Sequence, residues 1–117
     1  MKHFVSTQEV PAMTREREHG GTGPIEFRRM LKCDDFATNI DFVDYTVIPP
    51  GSTIGRHIHS GNEELYFISA GKPLVCVEGI QRRANAGSIV VVHSGEWHEL
   101  VNDTDQAAAI FVIQVRK

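Results

Sequence analysis

The chain has 117 residues, of which 41 % are hydrophobic and 23 % are charged, and its net charge at pH 7 is −3. This length suits a single domain and leaves no room for two independent cores, and the composition is that of a folded globular protein. A slightly acidic chain lacks the broad basic surface that nucleic-acid binding requires, so we expect no nucleic-acid partner.

The two cysteines, Cys33 and Cys76, lie far apart and form no C-x-x-C motif. Isolated thiols are typical of a reducing compartment. The first residues, MKHFVSTQEV, contain no apolar core of signal-peptide length, and no apolar run in the chain approaches the roughly 20 residues of a membrane span. We therefore expect a cytoplasmic protein with free thiols and no membrane partner.

Short apolar runs separated by Gly, Pro, Asn and Asp recur along the chain, whereas helix signals are scarce. This spacing predicts an all-β sandwich or barrel of about eight strands, the number that closes a small barrel around space for one ligand. Residues 1–24 are expected to be an N-terminal arm or strand, with a polar, glycine-rich loop or arm at 14–24, and residues 25–117 the barrel. The predicted strands are 25–31, 42–48, 55–59, 64–70, 74–77, 80–84, 88–93, 97–102 and 108–115.

Two histidines, His57 and His59, are separated by one residue in a predicted strand. Alternate strand residues point to the same face, so both imidazoles are able to converge on one ion. An isolated H-x-H pair is nevertheless more often solvent-facing or hydrogen-bonded than metal-binding.

Further candidate ligands follow in the next predicted strands. The turn at 60–62 presents Glu63 and Glu64, and at most one of them should be a ligand because adjacent strand residues face opposite ways. His98 opens another strand after the turn at Gly95 and could supply a third imidazole from across the barrel.

Two longer patterns contain these residues. Residues 51–71 read G-x5-H-x-H-x4-E-x6-G, which resembles the first motif of the cupin family with every position filled. Residues 87–102 read G-x5-H-x-G-x2-H-x3-N, which is similar to the second cupin motif, with His93 where proline is usual. The spacer between the motifs is short, as in small single-barrel cupins. The resemblance implies that residues 1–117 form one double-stranded β-helix, the jelly-roll barrel of cupins.

The resemblance also implies a site for one divalent transition metal ion. Only Glu64, and not Glu63, has six residues between itself and Gly71. Three imidazoles and one carboxylate suit Fe, Mn, Ni, Co or Zn, and are too rich in nitrogen for Ca²⁺ or Mg²⁺. They leave two open positions on an octahedral ion but fill a tetrahedral zinc site. The implied ligands are His57, His59, Glu64 and His98.

Candidates for proton transfer are Tyr66 and Glu63. Tyr66 shares a face with Glu64, and some lyase-type cupins use a tyrosine at this spacing as a base. The alternative is an aromatic side chain that fills the barrel and has its hydroxyl bonded. His93 is expected to face solvent from a turn, and Asn102 to be structural.

The remaining residues carry weaker expectations. Arg56 should lie at the surface, and nothing beyond residue type recommends His3 or His19 as ligands. Residues that could line or cap the cavity, although each is more often core, are Tyr45, Trp97, Phe111 and Ile113.

The resemblance implies a metal-dependent enzyme acting on a small, oxygen-bearing molecule. Dioxygenase chemistry would follow with Fe(II), and lyase, isomerase or cyclase chemistry with another ion. A metabolite-binding module without turnover and a relic with a structural ion stay open as alternatives, because a fold does not determine a function. Small cupins are commonly homodimers, and we expect association here through outward apolar residues, namely Leu65, Phe67, Ile110 and Val112.

Overall fold

The chain folds into ten antiparallel strands in two sheets, as seen in a computed structural model that describes residues 2–117. Three single turns of 3₁₀ helix are the only helical segments among these residues, at Thr7–Glu9, Glu18–Gly20 and Cys33–Asp35. The predicted all-β jelly-roll barrel is thereby confirmed. The strands are β1 (Met13–Glu16), β2 (Pro24–Lys32), β3 (Ile40–Ile48), β4 (Thr53–Ile58), β5 (Asn62–Ala70), β6 (Leu74–Val77), β7 (Ile80–Arg83), β8 (Ile89–Val92), β9 (Trp97–Val101) and β10 (Ala108–Arg116).

The sheet order brings distant parts of the sequence together. One sheet has the order β1-β2-β3-β10-β5-β8 and the other β4-β9-β6-β7. Both sheets contribute to a single core, which therefore lies between them. The larger apolar side chains of this core are Ile25, Ile48, Tyr66, Ile68 and Ile110 from the first sheet, and Ile54, Val75 and Leu100 from the second.

The N-terminal arm contains a strand, β1, at Met13–Glu16, which is where the stretch predicted to be a loop or arm begins. This strand forms the edge of the six-stranded sheet and pairs with β2, from Met13 opposite Phe27 to Glu16 opposite Pro24. All four of its residues are exposed, so no alternation of apolar and polar residues marks it in the sequence. Backbone pairing, rather than burial, makes this segment a strand.

The prediction for the faces of β10 was wrong. Ile110 is fully buried and Val112 packs against the core, whereas Phe111 lies on the outer face, 4.9 Å from the ring of Tyr45. Ile113 shares that outer face by alternation. β10 is apolar on both faces, so its sequence contains no signal for which residues point inward.

Other expectations concern single residues. Trp97 lies on the outer face, where its ring packs under the guanidinium of Arg56 at 3.8 Å, so it does not line the cavity. Asn102 is fully buried, and its amide donates to the carbonyls of Ile48 and Gln106, each at 2.8 Å. It therefore has the structural role that was expected.

Both thiols are free, with Cys33 exposed and Cys76 half-buried. Within residues 2–117 there is no helix of the length and apolar character needed to cross a membrane.

Candidate metal centre

Four potential ligand residues converge between the two sheets. One nitrogen or oxygen atom from each lies within 4.8 Å of those from the others. The four-stranded sheet supplies His57 on β4 and His98 on β9, and His59 directly follows β4. The opposite sheet supplies the glutamate on β5. No other cluster of this kind occurs in the described part of the chain. The four residues are His57, His59, Glu64 and His98.

A β-bulge in β4 sets the direction of His57. Ile54 pairs with Leu100 and His57 with His98, so two residues of β4 lie opposite one residue of β9. The extra residue allows Ile54 and His57, three positions apart, to point into the same interior. Arg56 faces outward at the surface, as expected.

Hydrogen bonds hold each imidazole in position. The Nδ1 atom of His57 lies 2.8 Å from the carbonyl oxygen of Gly55, and that of His59 lies 2.9 Å from Oδ1 of Asn62. These oxygens only accept, so Nδ1 is the donor in both contacts. Such outer partners are what metal-binding histidines usually have.

The third imidazole, that of His98, has a tyrosine as its partner. Its Nδ1 atom lies 2.6 Å from the hydroxyl of Tyr66, and its Nε2 atom lies 2.8 Å from Nε2 of His59. Glu64 completes the group, with Oε1 at 3.2 Å from Nε2 of His59 and 3.8 Å from Nε2 of His98. This donor set fits a divalent transition ion, since it offers nitrogen lone pairs and one carboxylate within a single buried cluster.

The surroundings shift the protonation of the imidazoles. Burial lowers the pKa of His98 to about 3, and burial also lowers the pKa of His57. The hydrogen bond to Glu64 raises the pKa of His59. Near pH 7 the imidazoles of His57 and His98 are therefore neutral, and the neutral imidazole is the form that binds a metal ion.

The two predicted proton-transfer residues have different positions. Tyr66 is buried beside His98 and lines the cavity at the cluster. Glu63 points to the opposite face of β5 and pairs with Nδ1 of His93 at 2.7 Å, where both side chains are more than half exposed. The structure therefore brings Tyr66 to the cluster and leaves Glu63 outside it, and His93 faces solvent as expected.

One residue at the cluster was not identified from the sequence. The imidazole of His19 stacks on that of His57, with ring centroids 3.6 Å apart and an interplanar angle of 8°. The 3₁₀ turn that carries His19 approaches β4 so closely that a Cβ atom on Gly55 would lie 2.1 Å from the carbonyl oxygen of His19. The adjacent Gly20-Gly21 pair was the only local sign of this close approach.

The cluster opens into a cavity of about 270 Å³. This volume is at the small end for ligand sites and holds roughly nine water molecules. A larger hollow of about 540 Å³ on the outside includes none of the four cluster residues. Besides the cluster, residues lining the inner cavity include Arg15, Glu18, Phe27, Arg29, Phe42, Asp44, Thr46 and Gln114.

Comparison with known proteins gives one family and several relatives. A family model described as a cupin domain matches residues 44–114. The oxalate-binding protein of Thermotoga maritima is 28 % identical over 98 residues, which cover 84 % of this chain and 81 % of that protein.

Solved structures share the fold. A predicted oxalate decarboxylase from Thermotoga maritima superposes with a TM-score of 0.94 and 24 % identity, covering 97 % of this chain and 99 % of that one. The polyketide cyclase RemF from Streptomyces resistomycificus has a TM-score of 0.79 and 20 % identity, covering 99 % and 80 %.

Proposed function

This chain belongs to the cupin family, whose model matches more than half of its length, and we propose that it is a metal-dependent enzyme acting on a small carboxylate-bearing molecule. The observation that carries this proposal is the convergence of three imidazoles and one carboxylate beside a cavity. Three of the four side chains, those of His57, His59 and Glu64, line this cavity, whereas the fourth, His98, is fully buried. An ion held by these residues would lie beside a space in which a small molecule fits.

The chain's own residues define the chemistry. When bound, a divalent ion (Fe, Mn, Ni, Co or Zn) acts as a Lewis acid that stabilises negative charge on a substrate oxygen. His57, His59 and Glu64, with His98, hold that ion. The hydroxyl oxygen of Tyr66 lies between His98 and the cavity, where it is placed to give a proton to the reacting molecule or accept one from it. Glu63 has no part in this proposal because its side chain is on the outer surface.

The substrate class follows from cavity size and from the curated relative. A space of about 270 Å³ suits a molecule of a few carbons. The relative's name says that it binds oxalate, and we extend this to a small carboxylic acid as the ligand of the present site. Oxalate is the first probe to use.

The test uses the full chain after metal removal and reloading with each of the five ions in turn. Calorimetry should detect binding of oxalate or another small acid to the metal-loaded form only. Oxygen consumption and carbon dioxide release then report turnover. Tyr66→Phe removes only the hydroxyl, so it should keep the metal and the acid affinity while lowering the rate by roughly 10²-fold. An unchanged rate would show that Tyr66 is a structural residue.

A second candidate function is binding without turnover. It is favoured by the buried Tyr66 hydroxyl, which already has a hydrogen-bond partner in His98 and therefore needs no catalytic role to explain it. Reversible, metal-dependent binding of an acid, without product under any ion, would support this candidate over the enzyme.

We also propose that two copies associate through the outer face of the six-stranded sheet. On this face Leu65 pairs with Val91 and Phe67 with Ile89, and all four side chains are exposed. The patch carries no charge, so a second copy presenting the same apolar surface suits it better than a charged partner does.

A further inference from the structure

On the premise that the proposed metal-bound acid is correct, we propose that Arg29 determines specificity by binding a second carboxylate of the substrate. The protein would then select short dicarboxylates over monocarboxylates. Arg29 lines the same cavity as the metal cluster but comes from the other end of the six-stranded sheet.

The position of Arg29 suits the far end of a short molecule. Arg29 pairs with Asp44, Asp44 with Val112 and Val112 with Tyr66, so these residues form one row across four strands. Three inter-strand steps separate the backbone of Arg29 from that of β5 by roughly 14 Å along the sheet. The side chains at the two ends of this row, Arg29 and Tyr66, both line the cavity of about 270 Å³.

The guanidinium of Arg29 has an unused bidentate face. Its Nε donates to Oδ1 of Asp44 at 2.8 Å and its Nη2 donates to Oδ2 at 3.0 Å. These bonds use one side of the group and leave both hydrogens of Nη1 and one of Nη2. Within residues 2–117 these hydrogens have no hydrogen-bond acceptor. A pair of N–H groups from Nη1 and Nη2 matches the two oxygens of a carboxylate.

The same contacts hold the guanidinium in place before any ligand arrives. The Phe42 ring lies 4.3 Å from its central carbon, and Asp44 fixes its plane. The Asp44 side chain is 11 % exposed and that of Arg29 is 44 % exposed, so the cation is the member of the pair with accessible surface. A preorganised group of this kind loses little conformational entropy on binding.

The charge balance of the cavity favours an anion once the ion is present. The cavity is lined by two arginines, Arg15 and Arg29, and three carboxylates, Glu18, Asp44 and Glu64. Arg15 pairs with Glu18, as Arg29 does with Asp44. A divalent ion beside Glu64 makes the net charge of these groups positive, and a positive cavity attracts a negatively charged substrate rather than a neutral one.

The experiment compares acids of equal carbon number on the Mn²⁺-loaded protein by calorimetry, namely malonate with propionate and succinate with butyrate. The wild type should bind at least one diacid about 10-fold or more tightly than its matched monoacid. Arg29→Lys keeps a positive charge for Asp44 but lacks the second N–H pair, so diacid affinity should fall about 10- to 100-fold while monoacid affinity stays constant.

A matched control is Arg83→Lys. Arg83 also forms a bidentate pair, with Asp103, but lies on the outer surface and does not line this cavity. This variant should keep the wild-type diacid preference. Bound metal and the thermal midpoint are measured for every variant. If Arg29→Lys does not fold, the double variant Arg29→Gln with Asp44→Asn, which keeps a neutral hydrogen-bonded pair, replaces it.

The outcomes separate this inference from the proposed function. Metal-dependent binding of diacids and monoacids with equal affinity overturns the role of Arg29 and leaves the proposed function intact. A diacid preference that depends on Arg29 but persists after chelation of the metal supports Arg29 and contradicts the proposed function. If none of the four acids binds, the role of Arg29 is overturned, and the proposed function is overturned as well when oxalate also fails to bind the metal-loaded protein.

Discussion

At the scale of single residues, each histidine of the cluster is held in position by a hydrogen-bond partner at its Nδ1 atom. Removing one imidazole takes away a ligand and also leaves a gap that water can enter. We expect His57→Ala or His98→Ala to lose most bound metal, measured by elemental analysis after dialysis.

Glu63→Ala is the matched control for this prediction. Its carboxylate pairs with His93 on the surface, so the variant should retain metal at the wild-type level. A metal-free Glu63→Ala together with a fully loaded Glu64→Ala would contradict the ligand assignment.

Burial of His98 makes the stability of the metal-free protein depend on pH. Its pKa is about 3 in the folded state, against an ordinary value of 6.5 for histidine. Between these values the unfolded chain binds more protons, so the free energy of unfolding rises with pH, by up to about 1.4 kcal/mol per unit for one proton. Above about pH 6.5 His98 is neutral in both the folded and the unfolded chain, so it does not affect the free energy of unfolding. As the pH falls below this value, burial of His98 lowers the free energy of unfolding progressively. The lowered pKa of His57 acts in the same direction, and the raised pKa of His59 in the opposite one.

We therefore expect the metal-free wild type to lose stability from pH 7 to pH 5, and His98→Asn to lose less. Urea unfolding with a chelator present measures this difference. His3→Asn, which changes an exposed residue of the arm, should keep the wild-type pH dependence. Equal slopes in the wild type and His98→Asn would show that His98 does not contribute.

At the scale of elements, the N-terminal arm contacts β4 backbone to backbone. This contact is possible because Gly55 has no side chain, and the carbonyl of His19 takes the space of its Cβ. We expect Gly55→Ala to displace the 3₁₀ turn and reduce the free energy of unfolding by about 1–3 kcal/mol, since added atoms in a packed contact force the backbone to shift.

Urea unfolding and the rate of tryptic cleavage after Arg17 both report this displacement, and cleavage should be faster in the variant. Gln81→Ala, at an exposed position of β7, provides a control that should change neither value. Wild-type stability and cleavage in Gly55→Ala would show that the arm does not rest on β4 in solution.

At the scale of the whole molecule, the apolar outer face of the six-stranded sheet predicts a dimer. Phe67→Asp or Ile89→Asp should reduce the molecular mass measured by light scattering from that of a dimer to that of a monomer. A carboxylate buried at the centre of an apolar contact loses its hydration, and this destabilises the dimer. Ile58→Asp is a matched control, since Ile58 and Ile89 are each 65 % exposed but Ile58 lies on the other sheet. A wild type that is monomeric at high concentration would contradict the prediction.

The amino-acid sequence alone determined the strands that carry the cluster and which residues should form it. The strands follow from local apolar runs and turn residues, and the four cluster residues are those that the resemblance to the cupin motifs implies. The structure then brings together the four residues that the motif spacing selected, and it separates Glu64 from Glu63.

Tertiary structure alone decided the first strand, the inner face of β10 and the contacts of Arg29 and His19. Each of these features depends on pairings between segments that are distant in the sequence. β1 is a strand only because it pairs with the edge of β2, and an apolar β10 acquires an inner face only when β3 and β5 pair with it. Arg29 meets Asp44 across a strand pair, and His19 reaches His57 because Gly55 admits the arm. Local sequence patterns contain no information on such contacts, since each is formed by residues that only the sheet order brings together.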